Sequence, residues 1–358
     1  MNYNNLLRVA GKELNDLKYF LPIKKIPENL IWFLTERCSL KCSHCFVSHK
    51  GRKFRDELSV QEIIKVLNSA KAFLKKISFT GGEPMIYQGF DKIFVHCSEL
   101  PKLKQLHIST NGMHNDKLFQ IIEKVKNYKL NIQIQSSLDG LEETHNKIRG
   151  NKKSFHNVFD LFKGLDGFKK HNIDKNIVMT CSKENMHEVK EAIDFFSKIE
   201  IPLTINFVRS SNDTISEENN DFIPMNDIGL SYEETFNIIE LWKNKFKSKM
   251  DKYTYTLNLV KMKNLLNFKK NKTWYYDCSA GQSDAVFMSD GSIAICETKK
   301  PLGNIKDFDF SYKKFWENNL QTKLKKCHCN FDCAAIYSVN KSIKGHIFYL
   351  KEFLFNNN

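Results

Sequence analysis

The sequence lacks long apolar runs and is poor in proline and glycine. No stretch of eighteen uninterrupted apolar residues occurs among its 358 residues, which argues against a membrane-spanning helix. Only 7 prolines and 15 glycines, with 41% hydrophobic and 27% charged residues, exclude collagen-like and wholly disordered chains. The first residues also lack the basic and then apolar order of a secretory signal. We therefore predict a folded cytoplasmic protein, long enough for one large α/β domain with an appendage or for two domains.

Acidic residues are the minority among the charged ones. The chain has 55 lysines and arginines against 41 aspartates and glutamates, a formal net charge of +14. An excess of this sign raises the expectation of an anionic partner such as nucleic acid. The lysines are spread through many predicted helices, however, and a solvated lysine face is the commoner explanation. Nucleic acid is therefore the less favoured partner.

Apolar runs of strand length alternate with helical patterns through the first two hundred residues. Ser59 with Glu62 forms a capping box ahead of one amphipathic helix, and a second helix begins near Ser154. The predicted strands are Leu30 to Thr35, Lys76 to Thr80, Leu103 to Ser109, Asn131 to Leu138, Ile173 to Cys181 and Ile201 to Val208. This alternation predicts an α/β fold with a parallel sheet, either open or closed into a full or partial barrel. In open parallel sheets and in barrels alike, functional groups lie at the carboxyl ends of the strands. The conspicuous polar turns of this sequence also fall at those ends.

The cysteines indicate metal centres. Ten cysteines without an export signal do not indicate a disulfide framework, because a reducing cytosol keeps thiols free. Cys38, Cys42 and Cys45 share one short loop, and three thiolates on a [4Fe-4S] cluster leave one iron open for catalysis. The alternative is a zinc loop, with His44 or His49 as the fourth ligand.

Four motifs follow the predicted strands in order, and together they resemble the radical S-adenosylmethionine (SAM) superfamily. They are the Cys38 to Cys45 loop, Gly81-Gly82-Glu83-Pro84, Ser109-Thr110-Asn111-Gly112, and Ser137-Leu138-Asp139-Gly140 with Ile148-Arg149-Gly150. The resemblance implies a partial (β/α)6 TIM-like barrel. It also implies that the protein binds SAM at a catalytic [4Fe-4S] cluster, cleaves it reductively to a 5′-deoxyadenosyl radical and takes a hydrogen atom from a substrate. A flavodoxin- or ferredoxin-type protein would supply the electron.

The same resemblance assigns roles to individual residues. It implies that Gly81, Gly82 and Glu83 contact the methionyl amino group and that Ser137 and Arg149 steady the carboxylate and ribose. His44 occupies the position where the family usually has an aromatic group near the adenine. Asn111 is assigned to SAM binding with its motif. The alternatives are that Arg149 is a surface cation and His44 a solvated loop residue.

A second group of cysteines lies near the end of the sequence. Gly291 lies in the segment between Cys278 and Cys296, at the position where a hairpin would turn and bring the two thiols together. This half resembles the auxiliary-cluster extensions called SPASM and Twitch, and Cys327, Cys329 and Cys333 follow it. We expect one auxiliary [4Fe-4S] cluster, although five cysteines for four ligand places leave one spare, which the sequence does not identify. A structural zinc site is the alternative.

These patterns divide the chain into five parts. They are a 1–28 extension, a 29–209 radical SAM core, a 210–277 linker with bridging helices, a 278–340 auxiliary-cluster module and a 341–358 helix. Cys181 and Asp277 are weak catalytic candidates, as a hydrogen-atom donor and a base, with a core cysteine and a turn residue as the commoner interpretations.

The preferred function is a radical SAM oxidoreductase that performs dehydrogenation, epimerisation or crosslinking of a small molecule or a peptide. The short stretch before the first predicted strand weakens the peptide alternative, or else leaves recognition to a separate partner. The alternatives are a radical SAM enzyme that modifies RNA and a non-catalytic zinc protein that binds RNA. A non-catalytic zinc protein would not explain the Gly-Gly-Glu-Pro turn. RNA binding is not favoured either, because we see no aromatic stacking platform on the predicted strands.

Overall fold

A computed structural model describes residues 26–45, 47, 56–199, 201–208, 214–215, 228–297, 299–319, 328–329, 338–339 and 342–355. Its parallel strands alternate with helices through the first half, as the sequence predicts. The strands there are β1 (Asn29–Thr35), β2 (Lys76–Gly81), β3 (Gln105–Thr110), β4 (Asn131–Ser137), β5 (Ile173–Cys181) and β6 (Leu203–Phe207). The helices between them are α1 (Val60–Ala70), α2 (Phe90–Ser98), α3 (Asn115–Val125), α4 (Glu142–Arg149), α5 (Ser154–Leu165) and α6 (Val189–Phe196).

The second half adds helices and short strands. The helices are α7 (Tyr232–Phe246), α8 (Lys252–Asn271), α9 (Tyr312–Asn319) and α10 (Ile343–Phe355). The strands are β7 (Thr214–Ile215), β8 (Asp284–Phe287), β9 (Ser292–Ala294), β10 (Gly303–Asn304) and β11 (His328–Cys329). None of the helices in the described residues combines the length and the apolar character needed to cross a membrane.

The strands β1 to β6 lie side by side in chain order, each parallel to the next. This confirms the predicted partial barrel, because each crossover helix returns the chain to the same end of the sheet. The two faces differ in polarity along β3 and β4. Leu106, Ile108 and Ile134 are buried in the main core, whereas Gln105 and Gln133 lie on the inner face, where Gln105 Nε2 donates to Gln133 Oε1 at 3.2 Å.

The helices cover the outer face through amphipathic sequences. The capping box predicted at Ser59 begins α1, with Ser59 Oγ accepting from the backbone N–H of Glu62 and the Glu62 carboxylate accepting from that of Ser59. A second capping box, at Ser231 and Glu234, begins α7. Aromatic rings fill the space between sheet and helices, where the Phe79 ring meets that of Phe90 edge-on at 5.2 Å between centroids.

The C-terminal hairpin belongs to the same sheet as the barrel. β8 pairs in parallel with β1, and β9 pairs antiparallel with β8, so the sheet has the order β10-β9-β8-β1-β2-β3-β4-β5-β6. A buried carboxylate reinforces this edge, because Asn29 Nδ2 donates to Asp284 Oδ1 at 3.0 Å. The predicted hairpin around Gly291 is confirmed, and the structure attaches it directly to the first barrel strand.

The bridging helices cover the other edge of the sheet. Trp242 of α7 donates from Nε1 to the carbonyl oxygen of Leu203 on β6 at 2.8 Å. Helix α10 packs on α8 through a small core that includes Val260, Phe268, Tyr349 and Phe353. The C-terminal helix is therefore docked on the bridging helix α8.

Candidate functional site

The three N-terminal cysteines lie on the loop that leaves the carboxyl end of β1. The N–H of Cys45 donates to the carbonyl oxygen of Cys42 at 3.2 Å, which folds the loop back on itself. Cys45 packs beside a small apolar cluster that contains Phe33, Val286 and Met288. Burial raises the pKa of the Cys42 thiol, whereas the positive charge of Arg149 lowers it and neighbouring Cys45 raises it further. The loop thus places Cys42 near Cys45 at the rim where β1 and β8 end.

Two glycines bring the turn after β2 against the start of this loop. Gly81 has a φ of +125°, and a Cβ there would lie 2.3 Å from the carbonyl oxygen of Thr35. A Cβ on Gly82 would lie 1.9 Å from the carbonyl oxygen of Arg37. The N–H groups of Gly82 and Glu83 donate to the carbonyl oxygens of Thr35 and Arg37 at 2.7 and 2.8 Å. Only glycine allows this approach, which ends one residue before Cys38.

Glu83 joins the turn after β2 to the turn after β3. Its side chain is fully buried, and its carboxylate accepts from Met85 N at 3.1 Å, from Thr110 Oγ1 at 2.9 Å and from Asn111 N at 2.7 Å. Burial raises the pKa of Glu83 to about 7, and these donors and Lys117 act in the opposite direction. Glu83 therefore fixes the position of the Asn111 backbone.

The Asn111 side chain points at the cysteine loop. Its Oδ1 accepts from the N–H of Met113 at 2.9 Å, which leaves the Nδ2 amide to donate elsewhere. Nδ2 lies 3.5 Å from Cys38 Sγ and 3.3 Å from Ser39 Oγ. A residue that the sequence assigns to SAM binding thus also contacts one of the three thiols.

Arg149 forms a buried ion pair with Asp139. Arg149 Nε and Nη2 lie 2.6 and 2.5 Å from Asp139 Oδ2, and Asp139 is fully buried. Arg149 Nη1 lies 3.6 Å from Cys42 Sγ. Burial raises the pKa of Asp139, but Arg149, His44, His145 and the Thr180 N–H together outweigh burial and hold the pKa of this carboxyl below its usual range. Arg149 is not a solvated surface cation, because its side chain is only 12% exposed.

Further hydrogen bonds hold Asp139 in place. Thr180 N donates to Asp139 Oδ1 at 3.0 Å, and Asn185 Nδ2 donates to the Asp139 carbonyl oxygen at 2.6 Å. The Asp139 N–H donates to His145 Nδ1 at 3.0 Å, which places the imidazole proton on Nε2, 3.0 Å from Ser154 Oγ. Burial lowers the pKa of His145 to about 4, so this imidazole is neutral near pH 7.

The cysteine loop is also fastened from outside. Ser43 N donates to the carbonyl oxygen of Ile148 at 2.9 Å, and Ser43 Oγ donates to Glu184 Oε2 at 2.7 Å. His44 lies over the buried ion pair, with Nε2 3.9 Å from Asp139 Oδ2 and a side chain 10% exposed. His44 thus lies beside Arg149 rather than in open solvent.

This donor set fits an iron–sulfur cluster better than a single metal ion. Within the part of the chain that the structure describes, no three histidine, cysteine, aspartate or glutamate side chains are arranged to hold one ion. A cluster distributes its thiolates over several irons, so its ligands need not converge on one point. N–H donors beside two of the sulfurs suit thiolates that carry negative charge. His49, the other candidate zinc ligand, lies outside the described residues.

The C-terminal cysteines are only partly described. Cys296 is buried just after β9, and Cys278 packs where the main core meets the α8–α10 core. A Cβ on Gly281 would lie 2.6 Å from Ile295 Cγ2, so the segment after Cys278 lies against the residue before Cys296. The backbone of Cys329 pairs with Thr214 in β11 and β7. Cys327 and Cys333 lie outside the described residues, so the ligand set of an auxiliary centre stays a prediction.

The other candidates occupy different environments. Ser137 ends β4 on the same rim as the cysteine loop. Cys181 is fully buried in the main core, where burial raises the pKa of its thiol, and this supports the packing role over hydrogen-atom donation. Asp277 is exposed beside Cys278. The orienting role of Asp139 was not predicted from the sequence, although an aspartate directly after a buried strand was an available signal.

Comparisons with known proteins identify this arrangement. Residues 32–196 match the model of the radical SAM superfamily. This part of the chain is a radical SAM domain. It runs from β1 to the end of α6 and so contains the cysteine loop, Glu83, Asn111 and Arg149.

Among curated proteins, the chain is similar to Fe-coproporphyrin III synthase of Methanosarcina barkeri. The two are 30% identical over 198 residues, covering 52% of this chain and 48% of that protein. Sporulation killing factor maturation protein SkfB of Bacillus subtilis is 29% identical over 163 residues, covering 45% of this chain and 37% of SkfB. The chain thus spans about half the length, or less, of these curated relatives.

A solved structure of anSMEcpe with bound AdoMet (SAM) has a similar fold over most of the chain. It aligns with a TM-score of 0.61 at 18% identity and covers 92% of this chain and 97% of that one. The likeness extends past the family match into the second half of the chain. At this identity the likeness concerns the fold alone.

Proposed function

We propose that this protein is a radical SAM oxidoreductase that takes a hydrogen atom from a peptide substrate. When bound, SAM and a [4Fe-4S] cluster supply a 5′-deoxyadenosyl radical by one-electron reduction. Cys38, Cys42 and Cys45 would hold the cluster, and Arg149, Ser137, Asn111 and the turn Gly81–Glu83 would hold SAM, with His44 beside them. The observation that supports this function best is the joining of the cysteine loop, Asn111 and Arg149 on one rim within the matched family region.

The residues of the chain orient the reactants and exclude water. Asp139 and Glu83 are fully buried, and each fixes a residue that reaches a thiol, so the rim is built before any ligand arrives. Apolar side chains of Phe33, Val286 and Met288 line the loop beside Cys45. A preformed site with an apolar wall suits a reactive radical, because it limits side reactions with solvent.

Two kinds of relative favour peptide as the substrate class. SkfB is named as a maturation protein of a killing factor, and structures named SuiB bound to precursor peptide SuiA and anSMEcpe with Cp18Cys peptide have similar folds. Small molecules are the second candidate class, because the coproporphyrin synthase is the relative that is 30% identical.

We further propose one auxiliary [4Fe-4S] cluster held by four of Cys278, Cys296, Cys327, Cys329 and Cys333. A flavodoxin- or ferredoxin-type protein would be the electron donor. The hairpin that places Ile295 against Gly281 supports this arrangement, because it brings the two described cysteine segments together.

Metal analysis and SAM cleavage test the central proposal. The protein would be purified and reconstituted without oxygen, and iron, sulfide and 5′-deoxyadenosine formed under dithionite would be measured. We expect about eight irons per chain in the wild type, and about four with no SAM cleavage in a Cys38→Ala, Cys42→Ala, Cys45→Ala variant. Cys97→Ala is the matched control, because this core cysteine lies in α2 away from the loop. Zinc without sulfide, and intact SAM, would refute the proposal.

Deuterium transfer tests the substrate class. A hydrogen atom taken from substrate carbon ends on the 5′ carbon, so a fully deuterated peptide digest should yield deuterated 5′-deoxyadenosine. Deuterated nucleotides and sugars serve as the comparison. Deuterium arriving only from these small molecules would overturn the peptide assignment and favour the second class.

A further inference from the structure

Two side-chain N–H groups reach two different cysteine sulfurs. Arg149 Nη1 lies 3.6 Å from Cys42 Sγ, and Asn111 Nδ2 lies 3.5 Å from Cys38 Sγ. Both distances suit N–H donation to sulfur, which is a larger and weaker acceptor than oxygen. The backbone N–H of Leu40 is a second donor to Cys38 Sγ, at 3.4 Å.

Both side-chain donors are anchored by a buried carboxylate. Asp139 takes Nε and Nη2 of Arg149, which turns the remaining nitrogen, Nη1, toward Cys42. Glu83 accepts the Asn111 backbone N–H at 2.7 Å, and the Asn111 Oδ1 is occupied by Met113 N. These anchors are shielded from water, because Asp139 and Glu83 have no exposed surface. The two donors therefore hold their direction independently of any ligand.

We infer that Arg149 and Asn111 set the reduction potential of the cluster held by the cysteine loop. The inference rests on the proposed function, since it requires that a cluster binds there. Reduction adds negative charge to the cluster, and part of that charge lies on the thiolate sulfurs. An N–H aimed at a sulfur stabilises the reduced state more than the oxidised state, so both donors raise the potential.

The two contacts differ in charge, which makes them separable. Arg149 carries a positive charge that Asp139 offsets in the same buried pair. The Asn111 amide is neutral, so its effect on the potential comes from the N–H dipole alone. Arg149→Lys keeps the positive charge but loses the planar guanidinium group. A single ammonium group is a poor substitute for a guanidinium that contacts Asp139 through two nitrogens and Cys42 through the third.

The test is a redox titration of the reconstituted protein without SAM, followed by the paramagnetic signal of the reduced cluster. Arg149→Lys and Asn111→Leu should each lower the equilibrium constant for reduction on the order of tenfold, which is about 59 mV for one electron. Because the donors reach different sulfurs, the double variant should show the sum of the two shifts. Leaving SAM out separates this effect from any loss of SAM binding.

Arg37→Lys is the matched control. Like Arg149, Arg37 on this rim pairs with a carboxylate, and its Nη2 lies 2.7 Å from Glu57 Oε2. Its side-chain hydrogen bonds are with Glu57 and not with a thiol. The reduction potential of the Arg37→Lys variant should equal that of the wild type. If Arg149→Lys does not load a cluster, Asn111→Leu decides the inference alone.

Unchanged or higher potentials in loaded Arg149→Lys and Asn111→Leu would overturn the inference and leave the proposed function standing. A wild type that binds no iron and sulfide would instead overturn the proposed function. A shift in Arg37→Lys equal to that in Arg149→Lys would also overturn the inference, because the effect would then not need contact with sulfur.

Discussion

The two cysteine regions of this protein are held in different ways. The N-terminal loop carries three thiols between Cys38 and Cys45, and its neighbours come from the turns after β2, β3, β4 and β5. The C-terminal cysteines are spread from Cys278 to Cys333, and those described lie near short strands at the sheet edge. A catalytic centre needs fixed geometry around an open position, whereas an auxiliary centre can be assembled from distant segments. The first region is therefore supported by many elements and the second mainly by one hairpin.

The largest effect should come from removing cysteines from the second region. Cys278→Ala with Cys296→Ala should lower the iron content from about eight to about four per chain. The N-terminal triple variant should lose the same amount, but the double variant should still form 5′-deoxyadenosine under dithionite. Iron analysis and chromatography of the products measure both. If the double variant also loses all SAM cleavage, the two regions do not hold separate centres.

A substitution at Gly82 should show how tightly the first region is packed. In Gly82→Ala the new Cβ would lie 1.9 Å from the Arg37 carbonyl oxygen, and backbone cannot move aside cheaply. We expect a loss of about 3 kcal/mol in the free energy of unfolding and poor cluster loading. Urea unfolding measures the first and iron analysis the second.

Gly167→Ala is the control for this overpacking, since nothing lies within 4 Å of a Cβ at that position. The free energy of unfolding of Gly167→Ala should be close to that of the wild type. Equal stabilities for the two variants would show that the turn after β2 does not press on the cysteine loop.

Lowering the pH should reduce the stability of the folded protein through His145, whose Nδ1 accepts from the backbone N–H of Asp139, the ion-pair partner of Arg149. Burial lowers the folded-state pKa of His145 to about 4, against about 6.5 in the unfolded chain, so the unfolded state binds a proton that the native state excludes. Stability is lost as the pH falls from about 6.5 toward 4. At pH 5 this costs about 2 kcal/mol, and His145→Gln should remove that part of the pH dependence.

Urea unfolding at pH 7.5 and pH 5 measures this difference. Glu83, whose pKa burial raises to about 7, contributes the opposite slope below pH 7 in both proteins and cancels in the comparison. His156→Gln is the control, because this exposed histidine pairs with Glu142 at the surface. An equal loss of stability on acidification in His145→Gln and the wild type would contradict this explanation.

Local patterns in the sequence predicted much of the barrel. Apolar runs of strand length located β1 to β6, and the capping box at Ser59 and the helical pattern from Ser154 located the starts of two helices. The order of the motifs on the strand ends also predicted which rim carries the cysteine loop. These features depend on near neighbours in the chain, which is why sequence patterns predict them.

Contacts between distant segments were not predictable in the same way. Helix α4 separates Asp139 from Arg149, and their ion pair depends on how that helix returns to the rim. Asn29 and Asp284 are 255 positions apart, and no local pattern indicates that β8 would pair with β1. The sequence thus predicted Glu83, Asn111 and Arg149 as site residues, but not that the buried carboxylates of Glu83 and Asp139 orient the other two.

The smallest expected effect tests whether the hairpin and the barrel unfold together. Asn29→Ala removes the amide that donates to the buried Asp284 carboxylate at 3.0 Å, at the point where β8 joins β1. We expect a loss of about 1 kcal/mol in the free energy of unfolding, with one cooperative transition, because both strands belong to one sheet. Asn68→Ala, at an exposed hydrogen bond to His96, is the control and should be close to neutral. A separate early transition confined to Asn29→Ala would show that the second cysteine region folds on its own, and the contrast between the two regions would then be one between domains.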